Sequence, residues 1–394
     1  MSTRRSFIKQ SSLVSLTPLI PAFIPRSLAS VATQHEDRVL VVLQLDGGND
    51  GLNTVVPFQH DKYAEYRQQL RIPAKNVHKL DDELGLHPAM KSAAELFHDK
   101  RLMIVHGVGY PNPNRSHFES MSIWQHAQLD TTQHDSLGWL GRTADTWHPR
   151  EAVGPDSVYV GSESIPVALR GRKSEAISLL EESDLTLNGT VVDGSSSGSV
   201  DDLTQYVQRS LAESFDAARR FSKTNKASTS GKSGYPDNAL GKKLSLVSRM
   251  IQLGGTTRVY YVSQSGYDTH SAQEFTHQSL LAAFSRSLKA FLDDLKNAGL
   301  EDRVSVLAFS EFGRRLKENG SAGTDHGTAG PVIIAGGSLR GGMVGQAPSL
   351  TDTEDGDFKI SIDFRTVYST ILQDWLHVPS NAVWNRTDTL PIYA

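Results

Sequence analysis

Short apolar runs recur along the chain at Val39 to Leu45, Leu102 to Val105, Ser157 to Val160, Arg258 to Val262, Val304 to Phe309 and Pro331 to Ala335. Their length and β-branched content predict buried strands. Between them the apolar period changes to that of a helix. The clearest case is Glu274 to Leu295, where Leu280, Phe284, Leu288, Phe291, Leu292 and Leu295 fall on one face. Strands alternating with helices predict an α/β fold with a largely parallel sheet covered on both sides. Asp193 to Val200 and Ser222 to Asn238 are rich in glycine, serine and other small polar residues, and Asp201 to Phe221 between them has an amphipathic period. The region 190–240 is therefore predicted to be a flexible insertion or cap.

The N-terminus changes this picture. Thr3-Arg4-Arg5-Ser6-Phe7-Ile8-Lys9, followed by an apolar stretch from Leu13 to Ile24 broken by prolines, has the form of a twin-arginine signal rather than a membrane span. Small residues near Ala29 and Ala32 suit cleavage, dividing the chain into a signal peptide, 1–32, and one domain, 33–394. The twin-arginine translocase would then deliver the domain to the periplasm or extracellular space, with no stable transmembrane span after signal removal. The formal charge is −4, and loss of Arg4, Arg5, Lys9 and Arg26 would take it to about −8, which argues against a nucleic-acid partner. With no cysteine, disulfides, thiolate nucleophiles and sulfur-ligated metals are excluded.

Oxygen and imidazole donors gather at strand ends. Asp46 closes the first run and enters Gly47-Gly48-Asn49-Asp50-Gly51; Asp268 and His270 lie in Gly266-Tyr-Asp-Thr-His270; Asp325 and His326 lie in Gly323-Thr-Asp-His-Gly327; Glu311 follows Phe309. Such residues suit a cation at the carboxyl edge of an α/β sheet. Bland readings stand beside this one: a turn aspartate at Asp46, a capping aspartate and surface histidine at 268 and 270, a salt bridge for Glu311. Ser116, after Arg115, is either a nucleophile with Arg115 stabilising charge or, with Glu119, a helix capping box. His87, just before an alanine-rich helix, is either a substrate-contacting or supporting residue or simply a packed, hydrogen-bonded histidine, and His106, His117 and His277 are weaker candidates of the same kind.

Leu-Asp-Gly-Gly-Asn-Asp-Gly-Leu-Asn at 45–53, Leu-Gly-Leu-His-Pro at 84–88, Arg-Ser-His-Phe at 115–118, Gly-Tyr-Asp-Thr-His at 266–270, and Ser-Glu-Phe-Gly-Arg with Asp-His-Gly further on resemble the exported bacterial family termed domain of unknown function 1501. That family is related to the alkaline phosphatase and sulfatase superfamily. The resemblance implies an alkaline-phosphatase-like α/β/α sandwich and two divalent metals, zinc, manganese or similar. Asp46 and Ser116 would serve one metal, and Asp268 and His270 the other. Asp325-His326 matches either the superfamily's Asp-His pair or its late histidine; in the second case Glu311 occupies the Asp-His-Gly position and Phe312 replaces a histidine ligand. The sulfatase signature is missing.

Together these readings predict an exported metal-dependent hydrolase of phosphate esters or related anionic esters, acting on a small or glycan-linked substrate, with Arg115 and Arg314 stabilising developing charge. The alternatives are a non-catalytic envelope binding protein and a phospho-group transferase or mutase.

Overall fold

The first strand, β1 (Val39–Asp46), shows how the molecule is layered. Val39, Val41, Leu43 and Leu45 belong to one buried cluster, Leu40 and Val42 to another. Side chains alternate across a strand, so β1 is a central strand covered on both faces. The computed structural model describes residues 38–133, 136–147, 155–180, 234–254 and 256–394. The expected signal peptide, 1–32, and nearly all of the expected insertion lie outside the described residues.

The main sheet contains β1, β2 (Leu102–Gly109), β3 (Ser157–Val160), β4 (Ala176–Leu179), β5 (Val259–Ser265), β6 (Val304–Phe309), β7 (Gly330–Gly336), β8 (Gly342–Val344) and β9 (Ile362–Asp363). Its order is β8-β2-β7-β6-β1-β5-β3-β4, with β9 also on β2. Every pairing is parallel except those of β7, which runs against both β6 and β2. The helices are α1 (Gly51–Thr54), α2 (Asp61–Tyr66), α3 (Lys91–His98), α4 (His117–His126), α5 (Trp139–Asp145), α6 (Ala239–Gln252), α7 (Gln273–Asn297) and α8 (Phe364–Thr370).

Helices α3, α6 and α7 pack on one face through residues such as Leu96, Leu244, Phe284, Phe291 and Leu292. On the other face lie α4, α5 and α8, where Trp124 stacks against Phe309 at 4.9 Å and Phe364 at 4.4 Å. Burial of each such side chain stabilises the fold by about 1.5–3 kcal/mol. The fold is thus the α/β sandwich with a largely parallel sheet that the alternating pattern predicts. Among the described residues, no helix is long and apolar enough to cross a membrane.

The reversal of β7 positions the site. A parallel strand brings its following loop to the carboxyl edge, whereas an antiparallel one brings its preceding loop there. Asp325 and His326, which precede β7, therefore meet the loops that follow β1, β5 and β6.

Candidate metal centre

The loop after β1 must lie against the loop after β5. Gly47 has φ +117°, and a Cβ there would stand 2.4 Å from the Asp268 backbone nitrogen; Gly48 has φ +80°, and its Cβ would stand 2.4 Å from the Phe312 ring. Only glycine meets both demands without strain. The Tyr267 N–H donates to the Asp46 carbonyl at 3.1 Å, continuing the contact. From β6, Glu311 turns inward and is fully buried. The Gly313 and Gly327 N–H groups donate to Thr328 and Gly313 carbonyls, folding His326 back against Arg314.

Four side chains converge. The Asp268 Oδ1 lies 3.1 Å from His270 Nε2, 3.2 Å from His326 Nε2 and 3.5 Å from His117 Nε2. His270 Nε2 and His326 Nε2 are 2.9 Å apart. Each imidazole has its other nitrogen beside an acceptor: His117 Nδ1 is 2.7 Å from Glu311 Oε1, His270 Nδ1 is 3.0 Å from Asp325 Oδ1, and His326 Nδ1 is 2.8 Å from the Arg115 carbonyl. Nδ1–H donation to these acceptors leaves an Nε2 lone pair on every ring. His117 Nε2 is buried without a hydrogen-bond partner.

With the rings in those tautomers, three nitrogen lone pairs and a carboxylate oxygen face one another without a proton to share. A cation resolves the conflict. Ligands about 2.0–2.1 Å from zinc at tetrahedral angles stand roughly 3.3 Å apart, close to the separations from Asp268 Oδ1. His117, Asp268 and His326 are the one group of potential metal ligands that close together among the described residues, and His270 adjoins it. The donor set fits a transition metal such as zinc, held by three imidazoles and a carboxylate.

Electrostatics follow from these contacts. Burial raises the Asp268 pKa, but the hydrogen bond and charge of Arg314 outweigh it and, with the neighbouring imidazoles, hold the carboxyl at about 2. The Glu311 hydrogen bond raises His117, while burial lowers His326. Asp325 is lowered by its Asn319 and His270 hydrogen bonds. Asp46 is raised by burial and by the charge of Glu311.

The other expected residues lie around this group. Asp46 lines an open pocket of about 530 Å³ with His117, Phe118 and Asp268, while its carboxylate accepts from Gln44 at 3.2 Å. Glu311 accepts from the Gly47 N–H at 3.0 Å, the Ser310 hydroxyl at 3.0 Å and His117, so it stands behind His117. Asp325 stands likewise behind His270. Arg314 is buried and donates to Asp268 at 2.7 Å and to the carbonyls of Gly48, Gly47, Thr324 and Tyr267. Arg115 pairs with Asp357 at 2.5 Å. Ser116 occupies the N-cap of α4 without a side-chain capping bond. The expected capping box is not formed: Asn114 takes both the Ser116 N–H, at 2.7 Å, and Glu119, at 2.6 Å. His117, only a weaker candidate from the sequence, is a central member. The only sequence signal was its place beside Ser116. Phe312 packs against His117 and His326, with ring centroids 4.9 and 4.7 Å away.

A family model described as "Protein of unknown function (DUF1501)" matches residues 37–381. No curated protein matches the sequence. Among solved structures, the chain is similar to the C-terminal periplasmic domain of EcEptC from Escherichia coli, with TM-score 0.39, 8% identity and coverage of 89% of this chain and 87% of that one. It is similar to the lipoteichoic acid synthase LtaP from Listeria monocytogenes, with TM-score 0.36, 8% identity and coverage of 83% and 74%. A protein in the alkaline phosphatase superfamily from Vibrio parahaemolyticus gives TM-score 0.39, 12% identity and coverage of 86% and 67%. Likeness at this level bears on neither substrate nor reaction, so the functional reading rests on the side chains.

Proposed function

The chain belongs to the DUF1501 family, and from that premise and its donor cluster we propose a metal-dependent hydrolase of phosphate esters or related anionic esters. The observation that carries the reading is the set of three imidazole Nε2 atoms around Asp268 Oδ1, each oriented from behind and opening beside a pocket. In this proposal His117, Asp268, His270 and His326 hold one divalent metal, zinc or manganese, in place of the two expected from the resemblance. Glu311, Asp325 and the Arg115 carbonyl orient the imidazoles, and Arg314 fixes Asp268. The metal supplies Lewis acidity to an ester oxygen.

Ser116 is exposed at the N-terminus of α4, next to His117, where helix N–H groups favour negative charge. It is the proposed nucleophile, with a water as the alternative attacking group. Attack by Ser116 forms a new oxygen–phosphorus bond as the bond to the leaving oxygen breaks, and a water then displaces the phosphoryl group from Ser116, restoring its hydroxyl. Asp46, kept more proton-binding than an ordinary carboxyl by burial and Glu311, is placed on the pocket wall to carry the released proton. The N-terminal export reading assigns this activity to the periplasm or extracellular space.

The test is elemental analysis after reconstitution with zinc or manganese, coupled to a panel of phosphate and sulfate esters. We expect one metal per chain, lost in His326→Ala, and metal-dependent turnover lost in Ser116→Ala with metal retained. Metal binding without turnover on any ester rejects the hydrolase and favours an envelope binding protein.

A further inference from the structure

The pocket beside the metal centre has an unusual charge pattern for phosphate chemistry. Asp46 and Asp268 line it, and no lysine or arginine does so among the described residues. The guanidinium groups around it are engaged: Arg314 is buried under five acceptors, Arg115 pairs with Asp357, and Arg142 donates to the carbonyls of His126 and Leu137. Asp46, Asp268, Glu311 and Asp325, with Glu163 acting on Asp46, face Arg314 and, at Asp325, Arg315, which leaves three negative charges with the imidazoles neutral. One divalent cation reduces this to one. A doubly charged phosphate monoester would enter a centre that remains negative, with no second cation to receive it.

The pocket's apolar side points the same way. Phe118 and Met121, three residues apart on α4, line it with Val167. Phe118 is 89% exposed, leaving a large aromatic face in water directly beside the metal ligand His117. Exposed apolar surface at a concave site marks a binding contact. The volume of about 530 Å³ lies within the roughly 300–1,000 Å³ of sites that hold organic ligands, so it accommodates more than a phosphate group.

We propose that this site selects singly charged esters carrying an apolar or aromatic group, phosphodiesters foremost, over doubly charged phosphate monoesters. The inference rests on the hydrolase reading for its chemistry, but its selectivity is testable without turnover. The probes are diphenyl phosphate, with one charge, and phenyl phosphate, which has two at pH 8 because its second pKa is about 6. Each is titrated calorimetrically into zinc-loaded protein. Diphenyl phosphate should bind about tenfold more tightly, and Phe118→Ala should remove most of that margin by uncovering one ring contact. Met121→Arg, which adds the missing cation, should strengthen phenyl phosphate binding by roughly tenfold.

Equal or tighter binding of phenyl phosphate by the wild type, or failure of both compounds to bind, overturns the selectivity. An unchanged margin in Phe118→Ala overturns the role of the aromatic wall. The expected binding order without turnover of either compound would uphold the selection and reject hydrolysis. Faster turnover of the monoester would reject the selection and uphold hydrolysis.

Discussion

Two polar clusters lie side by side at the carboxyl edge of the sheet, built from alternate residues of the same loops, and they behave in opposite ways. In the candidate metal centre, Asp268, His270 and His326 turn polar atoms toward one another near solvent. Beneath it, Asp50 is fully buried and receives Arg67 through bonds of 2.5 and 2.9 Å, and Gln273 at 2.5 Å. Gln273 in turn accepts from Thr269 at 3.0 Å and Thr324 at 2.6 Å, while His277 meets Asn49 at 3.0 Å. The buried cluster satisfies its polar groups internally; the exposed one leaves acceptors for a guest. Rigidity below and vacant lone pairs above are complementary demands on one set of loops.

The largest effect should come from the lower cluster. Asp50→Ala strands a buried guanidinium and should cost about 3–5 kcal/mol of folding stability, measured by denaturant unfolding; a loss below about 1 kcal/mol would break the contrast. The upper cluster should respond in metal affinity instead. Glu311→Gln, which weakens the acceptor behind His117, should lower zinc affinity by about 10–100-fold in chelator competition, and an unchanged affinity would remove Glu311 from its positioning role.

Acidification sharpens the comparison. Burial lowers His277 to about 3 and His87 to about 4, below the ordinary value of 6.5. The folded protein therefore binds fewer protons than the unfolded chain, and stability falls as pH drops from 6.5 through these values, by up to about 1.4 kcal/mol per histidine per pH unit. For Asp50, burial opposes ionisation but Arg67 prevails, holding it at about 2 against 3.8 when unperturbed. Its contribution is present above pH 3.8 and is lost as pH falls toward 2. Unfolding curves collected from pH 7 to 3 check the histidine effect; a flat profile above pH 4 would contradict it. The smallest effect belongs to Ser116→Ala: with no capping bond to lose, stability should change by less than about 0.5 kcal/mol. A loss near 1 kcal/mol would restore the capping role.

The contrast also explains what the sequence disclosed. Strand ends carrying Asp46, Asp268 and Glu311 were legible because apolar runs end just before them. Most of the central strands follow the apolar pattern closely, but Ala176–Leu179, Gly342–Val344 and Ile362–Asp363 are too short or too polar to stand out. The direction of β7 was illegible, since hydrophobic periodicity is the same for either direction, and that reversal brings His326 to the edge. His117 was hidden for another reason. Its ring is oriented by Glu311, 194 residues away, and no local spacing encodes such a partnership. Neither does local sequence separate Thr269, which braces the loop, from Asp268 and His270 on either side of it.

The most direct test compares zinc affinity in His117→Ala and Asp46→Ala, measured by chelator competition on folded protein. A centre of His117, Asp268, His270 and His326 predicts a loss of about 100-fold or more in His117→Ala and an Asp46→Ala affinity within about threefold of wild type. The reverse pattern, with zinc held normally after loss of His117 but released after loss of Asp46, would contradict that centre and move the metal to the end of β1.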